Sequence, residues 1–422
     1  MSFVSDKREN AFVVGVLLPG ITPRQLDDQI LELSALIDTA GGKVLSQTTQ
    51  SRKTPDPATY IGKGKLTTII GQADELQCSL LVFNDDISPT QINNIQKKAG
   101  EKIKVLDRTG LILDIFTKHA RTKEAKTQVE LAQLEYLLPR LTRQWTHLER
   151  QMGGIGTRAG AGETQIEVDR RLIRTQISRL KKQLKGIEKQ REVQSHNREK
   201  AYRIALVGYT NAGKSTLMKR LTGADVLIQD QLFATLDTTT RKLELNVGGS
   251  VLLSDTVGFI RKLPHNLVAS FRSTLGEIKN VDILLKVFDA SSENVQEHID
   301  TVNQVLSEME MEEKTELLLF NKIDAIKNED IIKGLQSRFN EAVFISAAEN
   351  NGIDTLKERI SETITSKFQK DAFHINFNQT KYLDTIYALT KVLKKKSDFE
   401  GILLEVEGTA ESLDKIRQML KQ

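Results

Sequence analysis

An eight-residue string that contains two glycines, a lysine and a serine carries the chemistry that is easiest to recognise in this sequence. It follows an apolar segment at 204–207 and precedes a helical pattern, which is the context of a phosphate-binding loop. Glycines let the backbone wrap around phosphates, and loop amides and a helix N-terminus present positive charge to them. The lysine is predicted to reach the β- and γ-phosphates, and the serine hydroxyl to bind Mg²⁺. The string reads Gly208-Tyr209-Thr210-Asn211-Ala212-Gly213-Lys214-Ser215.

A second string, Asp255-Thr256-Val257-Gly258, follows the apolar segment at 250–254. The Asp255 carboxylate is expected close to the magnesium ion, with water between them. The Gly258 amide can contact the γ-phosphate and respond to its loss. Together with the loop, this string predicts a nucleoside triphosphatase but does not distinguish GTP from ATP.

The base is chosen by a third string, Asn321-Lys322-Ile323-Asp324. A carboxylate accepts hydrogen bonds from both N1–H and the 2-amino group of guanine. Adenine lacks this donor pair and would leave Asp324 unpaired, which costs several kcal/mol of binding free energy. A fourth string, Ser346-Ala347-Ala348, offers amides to the guanine O6. The four strings predict a Mg²⁺-dependent GTP phosphohydrolase that binds GTP and GDP.

Between the phosphate loop and Asp255 lies the string Phe233-Ala234-Thr235-Leu236-Asp237. Thr235 is the candidate for the threonine that completes the Mg²⁺ shell beside Ser215. Thr238, Thr239 and Thr240 compete for this role.

Two residues bear on the hydrolysis mechanism. Phe259 stands where GTPases of the Ras type place a water-orienting glutamine, and a phenyl ring cannot orient water. Slow intrinsic turnover is therefore expected, with the water positioned by a partner, another domain, or another residue of this domain. The Asn211 side-chain carbonyl could hold K⁺ beside the phosphates and do the charge work of an arginine finger. The alternative is an asparagine hydrogen-bonded only within the loop.

Strand-like and helix-like segments alternate over most of the chain, which predicts α/β architecture with mostly parallel sheets and covering helices. Residues 1–117 are predicted to form an N-terminal α/β domain, and 118–199 a long helical hairpin with a glycine-rich tip. A P-loop G domain with helices on both faces of its sheet is predicted at 200–366. The segment 367–422 reads strand, helix, strand, helix, and predicts a small α+β domain.

The hairpin is predicted from two runs of apolar residues at coiled-coil spacing. Pro139 is expected to kink the first helix. Nine Lys or Arg residues against two Glu residues between 170 and 192 form a basic stripe on the second helix. Such a stripe could contact RNA phosphates, although a charged helix face is more commonly only solvated. The seam residues are Leu131, Leu134, Leu138 and Leu141, facing Ile173, Ile177, Leu180, Leu184 and Ile187.

The bulk composition is that of a protein with sizeable cores: 39% hydrophobic and 27% charged residues over 422 positions, with a net charge of +4. No apolar run reaches the ~18 residues of a membrane helix. The single cysteine, Cys78, excludes an internal disulfide and favours a reducing, cytoplasmic setting. No feature argues for more than a monomer.

With these residues in view, the chain resembles the HflX family of translational GTPases along nearly its whole length. The resemblance rests on specific strings: PATYIGKGK at 57–65, FNDDISPTQ at 83–91, DRT at 107–109, ELAQLEY at 130–136, GGIGTR at 153–158, GETQIE at 162–167, FATLD at 233–237 and DTVGF at 255–259. One departure is Ala161, because the family usually has Gly-Pro-Gly-Glu where this chain has Gly160-Ala161-Gly162-Glu163.

The resemblance implies binding to the large (50S) ribosomal subunit, splitting of stalled or idle 70S ribosomes in the GTP state, and release after ribosome-stimulated hydrolysis. Some family members are reported to use ATP through the N-terminal domain, but residues 1–117 contain no phosphate-binding loop. Arg158 or Trp145 could stack on an RNA base, or Trp145 could be ordinary packing. The residues expected at ribosomal RNA are Gly153, Gly154, Gly156, Arg158, Gly160, Gly162, Arg170, Arg171 and Arg174.

Two other functions fit parts of this pattern. The first is a GTP-dependent assembly factor of the large subunit that does not split mature ribosomes. The second is a regulator of a membrane protease without a ribosomal role, which the lack of any apolar membrane segment disfavours. The basic hairpin favours an RNA partner, and it fits ribosome splitting and large-subunit assembly equally well.

Overall fold

A computed structural model of the chain describes residues 8–141, 165–196, 201–223, 232–233, 235–236, 238–245, 247, 250–262, 281–311, 314–366, 368–397, 399 and 401–420. The chain divides into two compact units. The first comprises Met1–Lys189, Asp230–Asp237 and Lys262–Thr274, and the second comprises Gln190–Gln229, Thr238–Arg261 and Leu275–Gln422.

The first unit is built on a four-stranded parallel sheet with the strand order β2-β1-β3-β4. Its central strands are buried on both faces, as is usual for parallel strands covered by helices. The strands are β1 (Glu9–Leu17), β2 (Gly42–Ser51), β3 (Leu80–Phe83) and β4 (Lys104–Leu106). The accompanying helices are α1 (Pro23–Thr39), α2 (Lys63–Glu75), α3 (Pro89–Ala99) and α4 (Arg108–His119).

Local sequence signals set where three of these helices begin. Thr22 and Ser88 each cap a helix that starts with proline, and each forms a reciprocal capping box with a glutamine three residues later. Asp107 caps α4 by accepting a hydrogen bond of 2.9 Å from the Gly110 amide. These signals lie within four residues of one another, so they act before any long-range contact forms.

The predicted helical hairpin is confirmed. It consists of α5 (Lys123–Leu137) and α6 (Gln165–His196). The predicted kink at Pro139 is wrong: α5 ends at Leu137, and Pro139 lies in a separate 3₁₀ turn, Leu138–Arg140. Proline can open a helical turn but cannot continue a hydrogen-bond ladder, because it has no N–H. The seam buries Leu131, Leu134, Leu141, Ile173 and Leu180, with Leu138, Ile177 and Leu184 partly buried against them.

The second unit contains a six-stranded sheet with the order β10-β9-β8-β5-β7-β6. All neighbours are parallel except β6, which runs antiparallel to β7. The strands are β5 (Ala201–Gly208), β6 (Thr239–Leu243), β7 (Ser250–Asp255), β8 (Ile283–Asp289), β9 (Thr315–Asn321) and β10 (Val343–Phe344). The helices are α7 (Lys214–Thr222), α8 (Val295–Glu308), α9 (Glu329–Arg338) and α10 (Ile353–Thr365). The predicted P-loop α/β fold is confirmed.

The C-terminal segment adds a three-stranded antiparallel sheet with the order β11-β13-β12. The strands are β11 (Gln369–Asn376), β12 (Lys391–Ser397) and β13 (Gly401–Gly408), and the helices are α11 (Leu383–Leu389) and α12 (Ala410–Leu420). The pattern strand, helix, strand, helix predicts only two strands in this segment and does not include β12. The helix ends at Leu389 because residues 391–397 pair with β13 instead, as a lysine-rich edge strand.

Among the described residues, no helix combines the length and the apolar character needed to cross a membrane.

Candidate functional site

The phosphate-binding loop connects β5 to α7 in the second unit. Two of its glycines are required by close approach of other backbone and side-chain atoms. A Cβ at Gly208 would lie 2.1 Å from the Val287 carbonyl oxygen, and one at Gly213 would lie 2.2 Å from Asn321 Nδ2. Gly213 also has a φ of +88°. The loop can therefore lie against β8 and β9 only with glycine at these positions.

Lys214 lies folded over the loop that it follows. Its Nζ donates hydrogen bonds to the carbonyl oxygens of Gly208 at 3.2 Å and Tyr209 at 2.8 Å. Burial lowers the pKa of Lys214 to about 8, against the opposing effect of the Asp255 carboxylate. A buried ammonium held in this way is suited to bind phosphate oxygens, because their negative charge compensates for the water that the ammonium has lost.

The predicted magnesium ligand Ser215 and its neighbour Asp255 come together. Ser215 Oγ donates to Asp255 Oδ2 at 2.6 Å. Asp255 is fully buried, its Oδ1 has no hydrogen-bond partner among the described residues, and burial raises its pKa. Hydroxyl and carboxylate oxygens are the ligand types that Mg²⁺ prefers, and an orphaned carboxylate oxygen fits a cation or its bound water. The residues present thus fit a Mg²⁺ site.

The string 255–258 continues into a segment that is attached to the phosphate loop. The Thr210 amide donates to the Phe259 carbonyl oxygen at 2.8 Å, and the Phe259 amide donates to the Gly208 carbonyl oxygen at 3.0 Å. A Cβ on Gly258 would lie 2.8 Å from Thr210 and 3.0 Å from Lys214 Nζ. The Gly258 backbone is thereby held beside Lys214, the lysine predicted to reach the phosphates.

The Phe259 ring is 2% exposed. It is a packing residue, so the phenyl group neither donates to nor accepts from an attacking water. The expectation that this position does not orient water is supported by its burial as well as by its chemistry.

Arg261, two residues after Phe259, makes further contacts that were not predicted from the sequence. The Arg261 amide donates to the Tyr209 hydroxyl at 2.9 Å, and Arg261 Nη2 lies 2.8 Å from Glu297 Oε2 on α8. The Tyr209 ring stacks on His298, with 3.9 Å between ring centroids. Arg261 therefore fixes the segment after Gly258 to both the phosphate loop and α8. No local sequence signal could have paired these residues, which lie 36 to 89 positions apart.

The base-recognition strings meet through one side chain. Asn321 Nδ2 donates to the Ala212 carbonyl oxygen at 2.9 Å, and its Oδ1 accepts from the Ala347 amide at 2.9 Å. Asn321 thus ties the phosphate loop to the 346–348 loop. Lys322 has a φ of +65° and pairs with Asp289 at 2.9 Å. Asp324 lies exposed in a short 3₁₀ turn, Ile323–Ala325, where a base can reach its carboxylate.

The candidate switch residues are in the other compact unit. Phe233, Thr235 and Leu236 belong to the first unit, where the Phe233 ring meets the edge of Phe116 at a centroid distance of 4.7 Å. The role of Thr235 at the metal stays a prediction. Ala234 and Asp237 lie outside the described residues. Thr240, which competes with Thr235 for the role at the metal, lies in β6, and its hydroxyl is 2.8 Å from that of Ser254.

On the hairpin, the glycines 153, 154, 156, 160 and 162 and Arg158 lie outside the described residues. Arg171 and Arg174 are exposed on α6. Arg170 has an internal contact, because its Nη2 donates to the Leu141 carbonyl oxygen at 3.3 Å. It therefore joins the two described ends of the hairpin, whatever else it contacts.

Asp107 organises the end of the first hairpin helix, a role that was not predicted from the sequence. Its fully buried carboxylate accepts from Tyr136 Oη at 2.6 Å and Arg140 Nη2 at 3.0 Å, in addition to the Gly110 amide. Arg140 also lies over the Tyr136 ring at 3.6 Å from its centroid. One carboxylate therefore connects the start of α4 to the end of the first hairpin helix.

Comparison with known families agrees with this geometry. Three family descriptions match the chain in order: "GTP-binding GTPase N-terminal" over residues 27–117, "GTP-binding GTPase Middle Region" over 119–198, and "50S ribosome-binding GTPase" over 203–322. The GTPase HflX of Caldanaerobacter subterraneus is 42% identical over 422 residues, covering 100% of this chain and 96% of that protein. The chain belongs to the HflX GTPase family.

Other HflX GTPases are similar at comparable levels. That of Escherichia coli is 42% identical over 377 residues, covering 89% of this chain and 88% of the relative. That of Flavobacterium psychrophilum is 44% identical over 377 residues, covering 84% and 90%. Among solved structures, a GTP-binding protein from Sulfolobus solfataricus in complex with GDP is 26% identical with a TM-score of 0.43, covering 84% of this chain and 98% of that one. The HflX-family chain described here is a GTP-binding protein and a GTP phosphohydrolase with a ribosome-binding GTPase domain.

Proposed function

We propose that this GTPase binds the large (50S) ribosomal subunit in its GTP state, splits stalled or idle 70S ribosomes, and leaves after ribosome-stimulated GTP hydrolysis. The observation that carries the proposal is the basic face of α6. Eight of its lysines and arginines are exposed within the first unit, and one of them, Lys181, is paired with Glu135 on α5 at 2.8 Å; the eight are Arg170, Arg171, Arg174, Arg179, Lys181, Lys182, Lys185 and Lys189. Such a face suits the phosphates of ribosomal RNA, which attract clustered cations through release of counterions.

Several contacts hold the described part of the hairpin in place. The leucine and isoleucine seam joins its two helices, and the Arg170–Leu141 contact joins the chain ends that flank residues 142–164. The Asp107 carboxylate joins the end of α5 to the start of α4. The segment 142–164 follows directly from Leu141. We infer that it and α6 form the ribosomal contact, with Arg170 contributing mainly to the hairpin and Arg171 and Arg174 to RNA.

In the proposed cycle, Lys214 and the loop amides hold the phosphates. Ser215 and Thr235 would bind Mg²⁺, with Asp255 close to the ion through water, and the ion would neutralise charge on the phosphate oxygens. Asp324 and the amides of residues 346–348 hold guanine. Since the Phe259 ring is buried, the attacking water needs another group, which we assign to the ribosome. A ribosomal partner places the reaction in the cytoplasm, with the protein acting as a monomer.

We propose further that K⁺ activates hydrolysis through Asn211. Asn211 is exposed in the phosphate loop with a φ of +58°, so its side chain stands clear of the loop core. The GTPase rate in KCl should exceed that in NaCl at equal ionic strength by about 10-fold or more, a fraction of what an arginine finger supplies. Asn211→Ala should bring the rates in KCl and NaCl to the same value. Equal rates of the parent protein in both salts would exclude a K⁺ role.

The proposed splitting is tested by sedimentation of purified 70S ribosomes with the protein and a non-hydrolysable GTP analogue. Splitting predicts separate 30S and 50S peaks with the protein on 50S. Lys214→Ala, which removes the phosphate-binding ammonium, should leave the 70S peak intact. Intact 70S ribosomes without bound protein would contradict the proposal. Binding restricted to immature 50S particles would instead support the assembly-factor alternative, which the basic face fits equally well.

A further inference from the structure

The loop at residues 346–348 is held by several hydrogen bonds. Ser346 and Asn351 exchange backbone hydrogen bonds of 3.0 Å in both directions, and Ser346 Oγ accepts from the Glu349 amide at 3.1 Å. Ser346 and Ala347 are buried. The Ala347 amide is directed by Asn321 Oδ1. These contacts fix the loop's path but leave the orientation of the Ala347–Ala348 peptide to another group.

That group is Arg220, at the last turn of α7. Its Nε donates to the Ala347 carbonyl oxygen at 2.9 Å, and its Nη2 donates to the Ala348 carbonyl oxygen at 2.7 Å. The two acceptors are adjacent carbonyls 127 and 128 positions away along the chain. Two parallel donors on a rigid guanidinium match such a pair of acceptors, which the single charge centre of lysine cannot do.

Holding a carbonyl also directs the amide of the same peptide. The peptide unit is planar and trans, so the Ala347 C=O and the Ala348 N–H point in opposite directions. With the C=O directed at Arg220, the Ala348 N–H points away from the arginine. Hydrogen bonds to charged donors also polarise the acceptor group, which strengthens the N–H on the far side as a donor.

We propose that Arg220 is a positioning residue for guanine selection: it fixes the Ala347–Ala348 peptide so that the loop amide faces the keto oxygen O6 of the base. This rests on the proposed placement of guanine between Asp324 and the 346–348 loop. Guanine carries an acceptor at O6, whereas adenine carries an amino donor there, so a rigid N–H at this point rewards one and repels the other. Asp324 reads the N1 and 2-amino edge, and Arg220 acts on the reading of O6.

Base analogues separate these two contributions in the full-length protein. Binding of GTP, 6-thio-GTP and ITP is measured for the parent, Arg220→Gln, Arg220→Lys and the neighbouring control Lys219→Gln. 6-Thio-GTP replaces O6 with a poor acceptor and keeps the N1 and 2-amino groups, and ITP keeps O6 and lacks the 2-amino group. The parent should prefer GTP over 6-thio-GTP by about 10-fold, the value of one well-directed hydrogen bond.

Arg220→Gln should bring the GTP to 6-thio-GTP ratio close to one and leave the GTP to ITP ratio unchanged. Arg220→Lys should give an intermediate ratio, and Lys219→Gln the parent value. A purely structural role would weaken all three nucleotides alike, and that outcome, or an unchanged 6-thio-GTP ratio, would overturn the proposal. Asp324→Asn checks the underlying placement, because it should reduce the GTP to ITP preference. If it does not, the guanine placement itself is wrong, which is a different failure from that of Arg220.

Discussion

Lys214 illustrates how a single residue's surroundings prepare it for its ligand. Its ammonium is buried against two carbonyl oxygens and shares the site with the Asp255 carboxylate, which is itself buried. Burial shifts the pKa of each group toward its neutral form. Phosphate oxygens and Mg²⁺ reverse both shifts, because each stabilises the charged form of the group it meets.

A proton-linkage prediction follows for Lys214. With a pKa of about 8, the lysine is increasingly neutral as the pH rises above that value, while bound phosphates restore its charge. GTP binding should therefore take up a fraction of a proton per site at about pH 8.5, with affinity falling as the pH increases. Calorimetry in buffers of different ionisation enthalpy measures the uptake. Binding heats independent of the buffer would contradict the assigned pKa.

The same residues show how far sequence reasoning reached at this scale. The phosphate loop, Asp255, Asn321 and Asp324 were predictable because each acts within a short string directly after an apolar strand. Arg220 and Arg261 were not, because their partners lie tens to more than a hundred positions away. The presence of an arginine in the sequence does not reveal which distant carbonyl or hydroxyl group it contacts.

Among elements, the hairpin was predictable and two edge strands were not. The apolar spacing of α5 and α6 is a local pattern that needs only one partner helix. In contrast, β6 and β12 are polar sequences that become strands through pairing with β7 and β13. In β12, four of seven residues are lysine, which tolerates an exposed edge but carries no strand alternation.

The end of the first hairpin helix yields a stability prediction. Tyr136→Phe removes one of the hydrogen bonds to the buried Asp107 carboxylate and leaves the ring beneath Arg140 in place. The free energy of unfolding of the first unit should fall by about 1–3 kcal/mol, the cost of a charged acceptor losing a buried donor. Denaturant titration gives this value. Tyr387→Phe is the control, since that tyrosine is exposed on α11, and it should change stability little.

If Tyr136→Phe were as stable as the parent, the carboxylate would not be the connection between α4 and the hairpin that its contacts suggest.

For the whole molecule, the proposed ribosomal contact predicts a salt dependence. Arg171→Gln combined with Arg174→Gln should weaken binding to purified 50S subunits and lower the slope of log affinity against log salt by about 1.5, if each arginine meets one phosphate. Filter binding at several KCl concentrations measures the slope. Lys327→Gln with Lys333→Gln removes the same charge from an exposed part of the second unit and should leave the slope unchanged. Equal slopes for both double variants would show that α6 does not meet RNA.

Asn321 has a consequence for how the nucleotide binds as a whole. Because its amide joins the Ala212 carbonyl to the Ala347 amide, the places for the phosphates and for the base are kept at a set separation. GTP then binds in the manner of a chelate, in which the ribose is a linker whose length is already matched. Guanosine and inorganic phosphate supplied as separate molecules would each pay the full loss of translational freedom. The affinity of the intact nucleotide should therefore exceed the product of its parts.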